Sequence, residues 1–431
     1  MDNYKPVSTT PSLTTFSGIP TSAYVHIPFC RRRCFYCDFP VYVVGERSWG
    51  DNSGTIQHYV EILLKEISIT PVFCQPLETV FFGGGTPSLL SPSQLGRILD
   101  ALAQRFGIAE NAEISMELDP GTFSSQQLAG YCSLGVNRVS MGVQAFQDQL
   151  LRLSGRAHSL ADIYIAVDIL RQVGVSNFSI DLISGLPYQT LEQWQASLQA
   201  AVAIEPTHIS TYDLIIEPKT PFSRYYQPGV APLPSDETTA EMYRIAQQTL
   251  TSAGYKHYEI SNYAKPGYQC RHNLVYWQNR PYYGFGMGAT SYLGGHRFTR
   301  PRTTRDYYQW VLQACASGFP LPNSGIQKHD SPTSSEDIFL ETLMLGLRLQ
   351  EGLNLTVLAK QFGYERLEQI WKCLQPYYRQ GWVEITTEDG TLLAISPGQA
   401  LPISGKLRLS DPEGFLFSNT ILAAIFSLFG Y

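Results

Sequence analysis

Three cysteines fall within one eight-residue stretch, Cys30-Arg31-Arg32-Arg33-Cys34-Phe35-Tyr36-Cys37, directly after the apolar run Tyr24-Val25-His26-Ile27-Pro28-Phe29. Thiolates at short, fixed spacing ask for a soft metal, either zinc or an iron–sulfur cluster. A zinc site normally shows a fourth Cys or His in a paired arrangement, whereas the next residues here are Asp38, Phe39 and Pro40. In a cubane of four irons, three cysteines leave one iron open to a ligand from outside the protein. The three loop arginines are expected to favour thiolate over thiol and to offset part of a cluster's negative charge. A zinc knuckle completed by a distant fourth ligand and a chance grouping of cysteines are the alternatives.

At 431 residues the chain exceeds one ordinary domain, and its hydrophobic fraction of 44% suffices for two cores. The net charge of −6, with no basic tract beyond the cysteine loop, argues against nucleic acid as a partner and for a small or neutral one. Eight cysteines without a pairing pattern, three of them needed as reduced thiols, point to the cytoplasm. Met1 to Pro20 is rich in Thr, Ser and Pro without an apolar core, so residues 1–22 read as a loose arm rather than a signal peptide. Phe415 to Tyr431 is apolar but is broken by Ser418, Asn419, Thr420 and Ser427. It is too short to span a membrane and reads as a buried terminal helix, with peripheral membrane contact as the alternative.

From Tyr24 to about Tyr212, short apolar runs alternate with helical patterns, the signature of βα units around a parallel sheet. Six strands are expected: Tyr24 to Ile27, Leu77 to Phe82, Ala112 to Leu118, Arg138 to Gln144, Phe178 to Ile183, and His208 to Tyr212. Six units make a partial (β/α)6 barrel of the TIM type, short of the eight that close it, with a lateral cleft. Ser91, Pro92 and Gln94 announce one covering helix, and Ser159 with Asp162 another, ending near Gly174. In the third strand Glu113, Ser115, Glu117 and Asp119 alternate with Ile114, Met116 and Leu118. One face of that strand therefore looks toward something polar, with Glu117 near the carboxyl end, where such sheets keep their ligand sites.

Directly after the second strand comes Phe82-Gly83-Gly84-Gly85-Thr86-Pro87, a glycine turn that lets backbone approach a ligand or simply turns tightly. Gln144, Arg156 and Asp181 stand at or just beyond later strand ends, as ligand-facing polar groups or as solvated ends and ion pairs. An arginine can fork onto a carboxylate.

The C-x-x-x-C-x-x-C spacing resembles the radical S-adenosylmethionine (SAM) superfamily, in which SAM chelates the open iron and the reduced cluster cleaves its sulfonium to a 5′-deoxyadenosyl radical. The longer runs His26-Ile27-Pro28-Phe29-Cys30, Phe82-Gly83-Gly84-Gly85-Thr86-Pro87, Met141-Gly142-Val143-Gln144 and Asp181-Leu182-Ile183-Ser184-Gly185-Leu186-Pro187 resemble the oxygen-independent coproporphyrinogen III oxidase family. Cys37 is followed by Asp38 and Phe39 rather than by a second Cys-x-Cys thiol, and His272-Asn273-Leu274-Val275-Tyr276 matches an H-N-x-x-Y run. Both features resemble the heme chaperone branch, HemW, rather than the dehydrogenase branch. The resemblance implies a [4Fe-4S] cluster on Cys30, Cys34 and Cys37, SAM against Tyr24, Tyr36, Gly84 and Glu117, and heme near His272 and Tyr276, with Cys270 an equally placed ligand candidate. In the dehydrogenase branch Gly85, Thr86, Gln144, Arg156 and Asp181 contact a second SAM. The implied function is heme delivery to an acceptor protein, and the enzyme alternative is oxidative decarboxylation of coproporphyrinogen III in porphyrin biosynthesis.

Pro281 to Gly288 is aromatic and glycine-rich and is expected to cap the open side of the sheet with flat apolar surface or to pack in a core. Asn323 to Glu336 reads as a linker, dividing a barrel domain over 23–320 from a C-terminal domain over 321–431. Helical patterns at Phe339 to Leu349, Leu355 to Phe362 and Leu367 to Tyr378 precede a hairpin signal, Glu388-Asp389-Gly390, between Trp382 to Thr386 and Thr391 to Ile395. The pattern is that of a smaller helical, winged-helix-like unit for substrate closure or partner docking.

Overall fold

The structure, a computed structural model, describes residues 18–46, 49–318, 334–396 and 398–431. The expected N-terminal arm lies outside the described residues as far as residue 17, and the expected linker does so from Asn323 to residue 333. Contacts group the described chain into two compact units, one holding 19–253 with 281–318, the other 254–280 with 334–431.

In the first unit the six expected strands form: β1 (Ser22–Ile27), β2 (Leu77–Gly84), β3 (Ile108–Leu118), β4 (Arg138–Gln144), β5 (Phe178–Ser184) and β6 (His208–Asp213). A seventh joins them. Tyr283–Phe285, expected either to cap the sheet or to pack in a core, is buried and forms strand β7, which pairs parallel to β1 with Ala23 opposite Tyr283 and Val25 opposite Phe285. The spatial order β7-β1-β2-β3-β4-β5-β6 is parallel throughout. Tyr283 and Phe285 are buried against Phe106 with ring centroids 4.6 and 5.7 Å away. Three residues with a glycine in the middle and another after them are too short a run for periodicity to separate a strand from a cap.

Helices α1 (Gly54–Ile69), α2 (Pro92–Phe106), α3 (Ser125–Ser133), α4 (Leu160–Val173), α5 (Leu191–Ile204), α6 (Asp236–Ser252) and α7 (Thr304–Ser317) accompany the sheet. Ser91 and Gln94 close a reciprocal capping box on α2, and Ser159 does the same with Asp162 on α4, which ends at left-handed Gly174. On β3, Ile114, Met116 and Leu118 are buried, but so are Glu113 and Ser115. The polar face of this strand therefore points into protein, where carboxyl and hydroxyl groups are buried.

A buried ion pair ties the end of this unit to its beginning. Arg300 Nε lies 2.7 Å from Glu66 Oε1, and both side chains are fully buried. The second carboxylate oxygen accepts from Gly286 N at 2.8 Å and from the Tyr307 hydroxyl at 2.7 Å. Next to it the Tyr59 hydroxyl donates to His26 O at 2.7 Å and accepts from Met287 N at 3.0 Å.

The second unit holds an antiparallel hairpin (Lys256–Glu259 with Asn262–Ala264), the short helix Arg271–Trp277, and helices Ser335–Gly346, Leu355–Phe362 and Tyr364–Arg379. Val383–Thr386 forms a strand as expected, but its main partner is Lys406–Leu409, which also pairs with Leu353–Asn354. Residues 391–395 contribute one isolated bridge, Thr386 to Leu392, rather than a strand. The last helix, Ser418–Ser427, buries Ile421, Leu422 and Ile425, the buried terminal helix of the sequence reading. Among the described residues no helix is long and apolar enough to cross a membrane.

Candidate functional site

The cysteine loop leaves β1 at its carboxyl end, and the glycine turn after β2 is tied beneath it. Gly85 N donates to Ile27 O at 2.8 Å and Thr86 N to Phe29 O at 2.7 Å. Gly84 sits at φ +113°, and a Cβ there would lie 2.4 Å from the His26 ring. The glycine is required both by its backbone and by the imidazole over it.

His26 is neutral near pH 7, since burial lowers it to about 4. Its Nε2 faces Pro40 O at 3.0 Å, and a carbonyl can only accept, so Nε2 carries the proton. Nδ1 is then the acceptor for the Tyr24 hydroxyl at 3.0 Å. Tyr24, Gly84 and Glu117 meet here, with Gly84 N donating to Glu117 Oε2 at 3.0 Å.

Burial, and then the nearby Asp181, push Glu117 up to about 8. A carboxyl raised in the folded state contributes stability that is fully present below its unfolded value near 4.5 and is lost as pH climbs through 8. Thermal unfolding of the ligand-free protein should show Glu117→Gln and the parent alike at pH 4.5. The variant should gain on the order of 3–5 kcal/mol by pH 9; a gap that does not change with pH would contradict the assignment.

Around Cys34 the polar groups form a chain. Arg156 Nη1 lies 3.3 Å from Cys34 Sγ, and Nη2 donates to Gly142 O at 3.1 Å and to Asp119 Oδ1. The other oxygen of Asp119 accepts from Thr86 Oγ1 at 3.0 Å. Gly142 is the floor of this group: a Cβ there would meet Gln144 Nε2, Asp119 Oδ1 and Arg156 Nη2 at 3.0 to 3.3 Å. Gln144 has φ +63°, an uncommon backbone for a side chain, and its buried Oε1 has no hydrogen-bond partner. Asp119 organises this group, yet in the sequence it was only one member of an alternating strand; its place before Pro120-Gly121 at the carboxyl end was the available signal.

The arginines of the loop do less for the thiols than expected. Arg31 donates to Gly121 O at 2.8 Å, Arg32 pairs with Glu46 at 3.0 Å, and Arg33 donates to Cys37 O at 3.1 and 3.2 Å. Burial dominates instead, pushing Cys30 up to about 12 and Cys37 up to about 11. Burial likewise holds the Tyr36 phenol well above its usual range. Phe222, almost wholly buried, clasps the loop between Phe35 and Tyr36, with ring centroids 6.4 and 6.3 Å away, and its N donates to Phe35 O at 3.0 Å.

All three loop cysteines are free thiols. Among the described residues no three His, Cys, Asp or Glu side chains converge on a single metal ion. Cubane ligands need not converge, because each thiolate binds a different iron. The donor set fits such a cluster: three partly buried thiols on one loop, with Arg156 against the middle one.

Asp181 is held apart from this group. Its carboxylate accepts from Ser140 at 2.9 and 3.1 Å, Ser179 at 3.1 Å and Ser210 at 2.7 Å, and burial raises its pKa. His272 and Tyr276 belong to the second unit. There the buried His272 Nε2 lies 2.8 Å from the Tyr276 hydroxyl, and Cys270 is fully buried at the head of the same helix.

The family model of the Radical SAM superfamily matches residues 24–201. The heme chaperone HemW of Synechocystis sp. is 48% identical over 95% of this chain and 97% of its own length. The chain belongs to the HemW family. The heme chaperone HemW of Bacillus subtilis is 37% identical over 79% of this chain and 87% of its own. The family's fold recurs in the coproporphyrinogen III oxidase HemN of Escherichia coli, a radical SAM enzyme, with a TM-score of 0.75, 22% identity, and 96% and 91% of the two chains covered. At that identity the likeness speaks for the fold alone.

Proposed function

We propose that the protein is a heme chaperone that holds a [4Fe-4S] cluster on Cys30, Cys34 and Cys37, binds SAM and heme, and passes heme to an acceptor protein in the cytoplasm. The observation that carries this reading is the 48% identity along nearly the whole chain to a heme chaperone. When bound, the cluster supplies an open iron for SAM and an electron. Tyr24, Gly84 and Glu117 lie together to receive SAM's amino-acid end, with Tyr36 on the cysteine loop. Gly85, Thr86, Gln144, Arg156 and Asp181 are the positions for a second SAM. Of these, Arg156 and Thr86 are engaged with Asp119 and Asp181 with three serines, which leaves the Gln144 amide oxygen as a buried group awaiting a partner.

Heme is assigned to the helix Arg271–Trp277, whose Tyr276 and Trp277 offer aromatic surface. For His272 to serve as an axial ligand its Nε2 must part from the Tyr276 hydroxyl. Hemin titration followed by absorbance should show His272→Ala weakened at least tenfold; unchanged affinity would remove heme from this helix. The enzyme reading is tested anaerobically, by incubating the reconstituted protein with coproporphyrinogen III and SAM. Formation of protoporphyrinogen would replace the chaperone reading, whereas retention of hemin through gel filtration without turnover supports it.

A further inference from the structure

The helix Arg271–Trp277 has seven residues, about half the length at which a helix holds together in water without help. The help comes from the hairpin of Lys256–Glu259 with Asn262–Ala264 in the same unit. At the head of the helix the Tyr258 hydroxyl accepts from Cys270 N at 3.3 Å. At its end the next hairpin residue, Glu259, accepts a hydrogen bond from the Trp277 side chain, whose indole N–H is the donor that ring carries. The Glu259 carboxylate is fully buried and also accepts from Ser261 N at 3.1 Å and from the Asn262 side-chain amide. The hairpin is itself anchored. Ile260 N donates to Arg348 O at 3.0 Å and Gln350 N to Tyr258 O at 3.1 Å, while His257, stacked on Tyr263 at 4.0 Å, pairs with Asp411 at 2.8 Å.

A buried carboxylate is costly, and a hairpin turn does not need one. Burial pushes Glu259 up to about 7, against the pull of Asn262, Ser261, His257 and Trp277. Ser261 and Asn262 are local to the turn, where an uncharged side-chain oxygen serves as well; Trp277 is the partner that lies far along the chain. We propose that Glu259 is a positioning residue for heme, whose hold on the indole N–H fixes the plane of Trp277 as a preset aromatic wall for the macrocycle. This rests on the heme-chaperone reading, which assigns heme to this helix. A half-buried ring already held in place loses less freedom when a flat ligand settles on it. The same hold keeps the helix in place during ligation: once His272 Nε2 parts from the Tyr276 hydroxyl, the side-chain tie inside the helix is gone, and those from Tyr258 and Glu259 remain.

Hemin is titrated by absorbance against the full-length parent, Glu259→Leu, Trp277→Phe and the double variant. Leucine removes the acceptor and phenylalanine keeps a ring without the N–H, so each single variant should lose about tenfold in affinity. The double variant should lose no more than either single one, because both remove the same bond. A residue that merely supported the fold would show no such coupling. Losses that multiply in the double variant would overturn the proposal, as would a Glu259→Leu protein that binds hemin like the parent. Glu259→Gln, which keeps one acceptor oxygen, should recover part of the affinity. If Glu259→Leu does not fold, the cycle is run with Glu259→Gln, whose smaller loss should likewise vanish in the Trp277→Phe background. The hold on Trp277 is also read without heme, by NMR of the chain carrying isotope-labelled tryptophan, with the indole N–H assigned as the resonance missing from Trp277→Phe. It should exchange slowly with solvent in the parent and quickly in Glu259→Leu. A parent with slow exchange that binds no hemin would strike the chaperone reading and, with it, the heme role of Glu259, whereas hemin binding with fast exchange would overturn the hold on Trp277 alone.

Discussion

Anaerobic reconstitution of a Cys34→Ser chain is expected to return iron at background level, against about four irons per chain for the parent. Serine is nearly isosteric, so the loop keeps its shape, including the Cys37 N to Cys34 O turn and the Phe222 clasp. What changes is the donor: a hydroxyl is a poor ligand for iron that thiolates hold. The two cysteines left, Cys30 and Cys37, are pushed up by burial to about 12 and about 11. They give up their protons only in exchange for metal bonds, and two such bonds do not hold a cubane. Cys74→Ser is the control, since Cys74 is exposed and outside the loop. Iron analysis with visible absorbance decides the matter; a Cys34→Ser protein that fills normally would refute the cluster assignment.

The second large effect is on stability. Arg300→Met should lower it by about 3–5 kcal/mol, because Glu66 would be left as an uncompensated charge in the interior. For a unit of this size that is a fall in unfolding midpoint of roughly 10 °C. Glu66 also receives Gly286 N and the Tyr307 hydroxyl, so part of its solvation survives and the loss stays below that of a bare buried charge. Replacing both partners by apolar residues, Glu66→Leu with Arg300→Met, should recover much of the loss, since the desolvation cost of both charges disappears. Differential scanning calorimetry of the single and double variants measures this. A double variant no better than Arg300→Met would mean that the hydrogen bonds to Glu66, rather than the charge balance, hold this corner.

The sequence announced those parts of the fold whose signals are local. Capping boxes at Ser91 and Ser159 and the apolar runs of β1 to β6 are short-range patterns, and each formed as read. Strand β7 was hidden because three residues carry no period, and its partner lies in a strand 260 positions earlier. The site was legible where residue type alone restricts the chemistry, in the three cysteines and the glycine turn. Asp119 was not, because its role comes from where Arg156 and Thr86 reach in space. The loop arginines count for less than their place in the sequence suggests: Arg33 favours the Cys37 thiolate but burial outweighs it, and their N–H groups point to Gly121, Glu46 and the backbone. Asp181 reads as a ligand-facing group or as a solvated end or ion pair, and the structure surrounds its carboxylate with serines from β4, β5 and β6.

The pairing of β1 with β7 bears on how the protein is made. Ala23 meets Tyr283, so on a ribosome adding about 5–20 residues per second the first strand waits roughly 10–50 s for its outer neighbour. Throughout that interval the nascent cysteine loop hangs from a strand with one open edge. Metal insertion that precedes release from the ribosome would act on an unfinished cradle, and a chain terminated before residue 283 would carry the full thiol set on a scaffold that never closes.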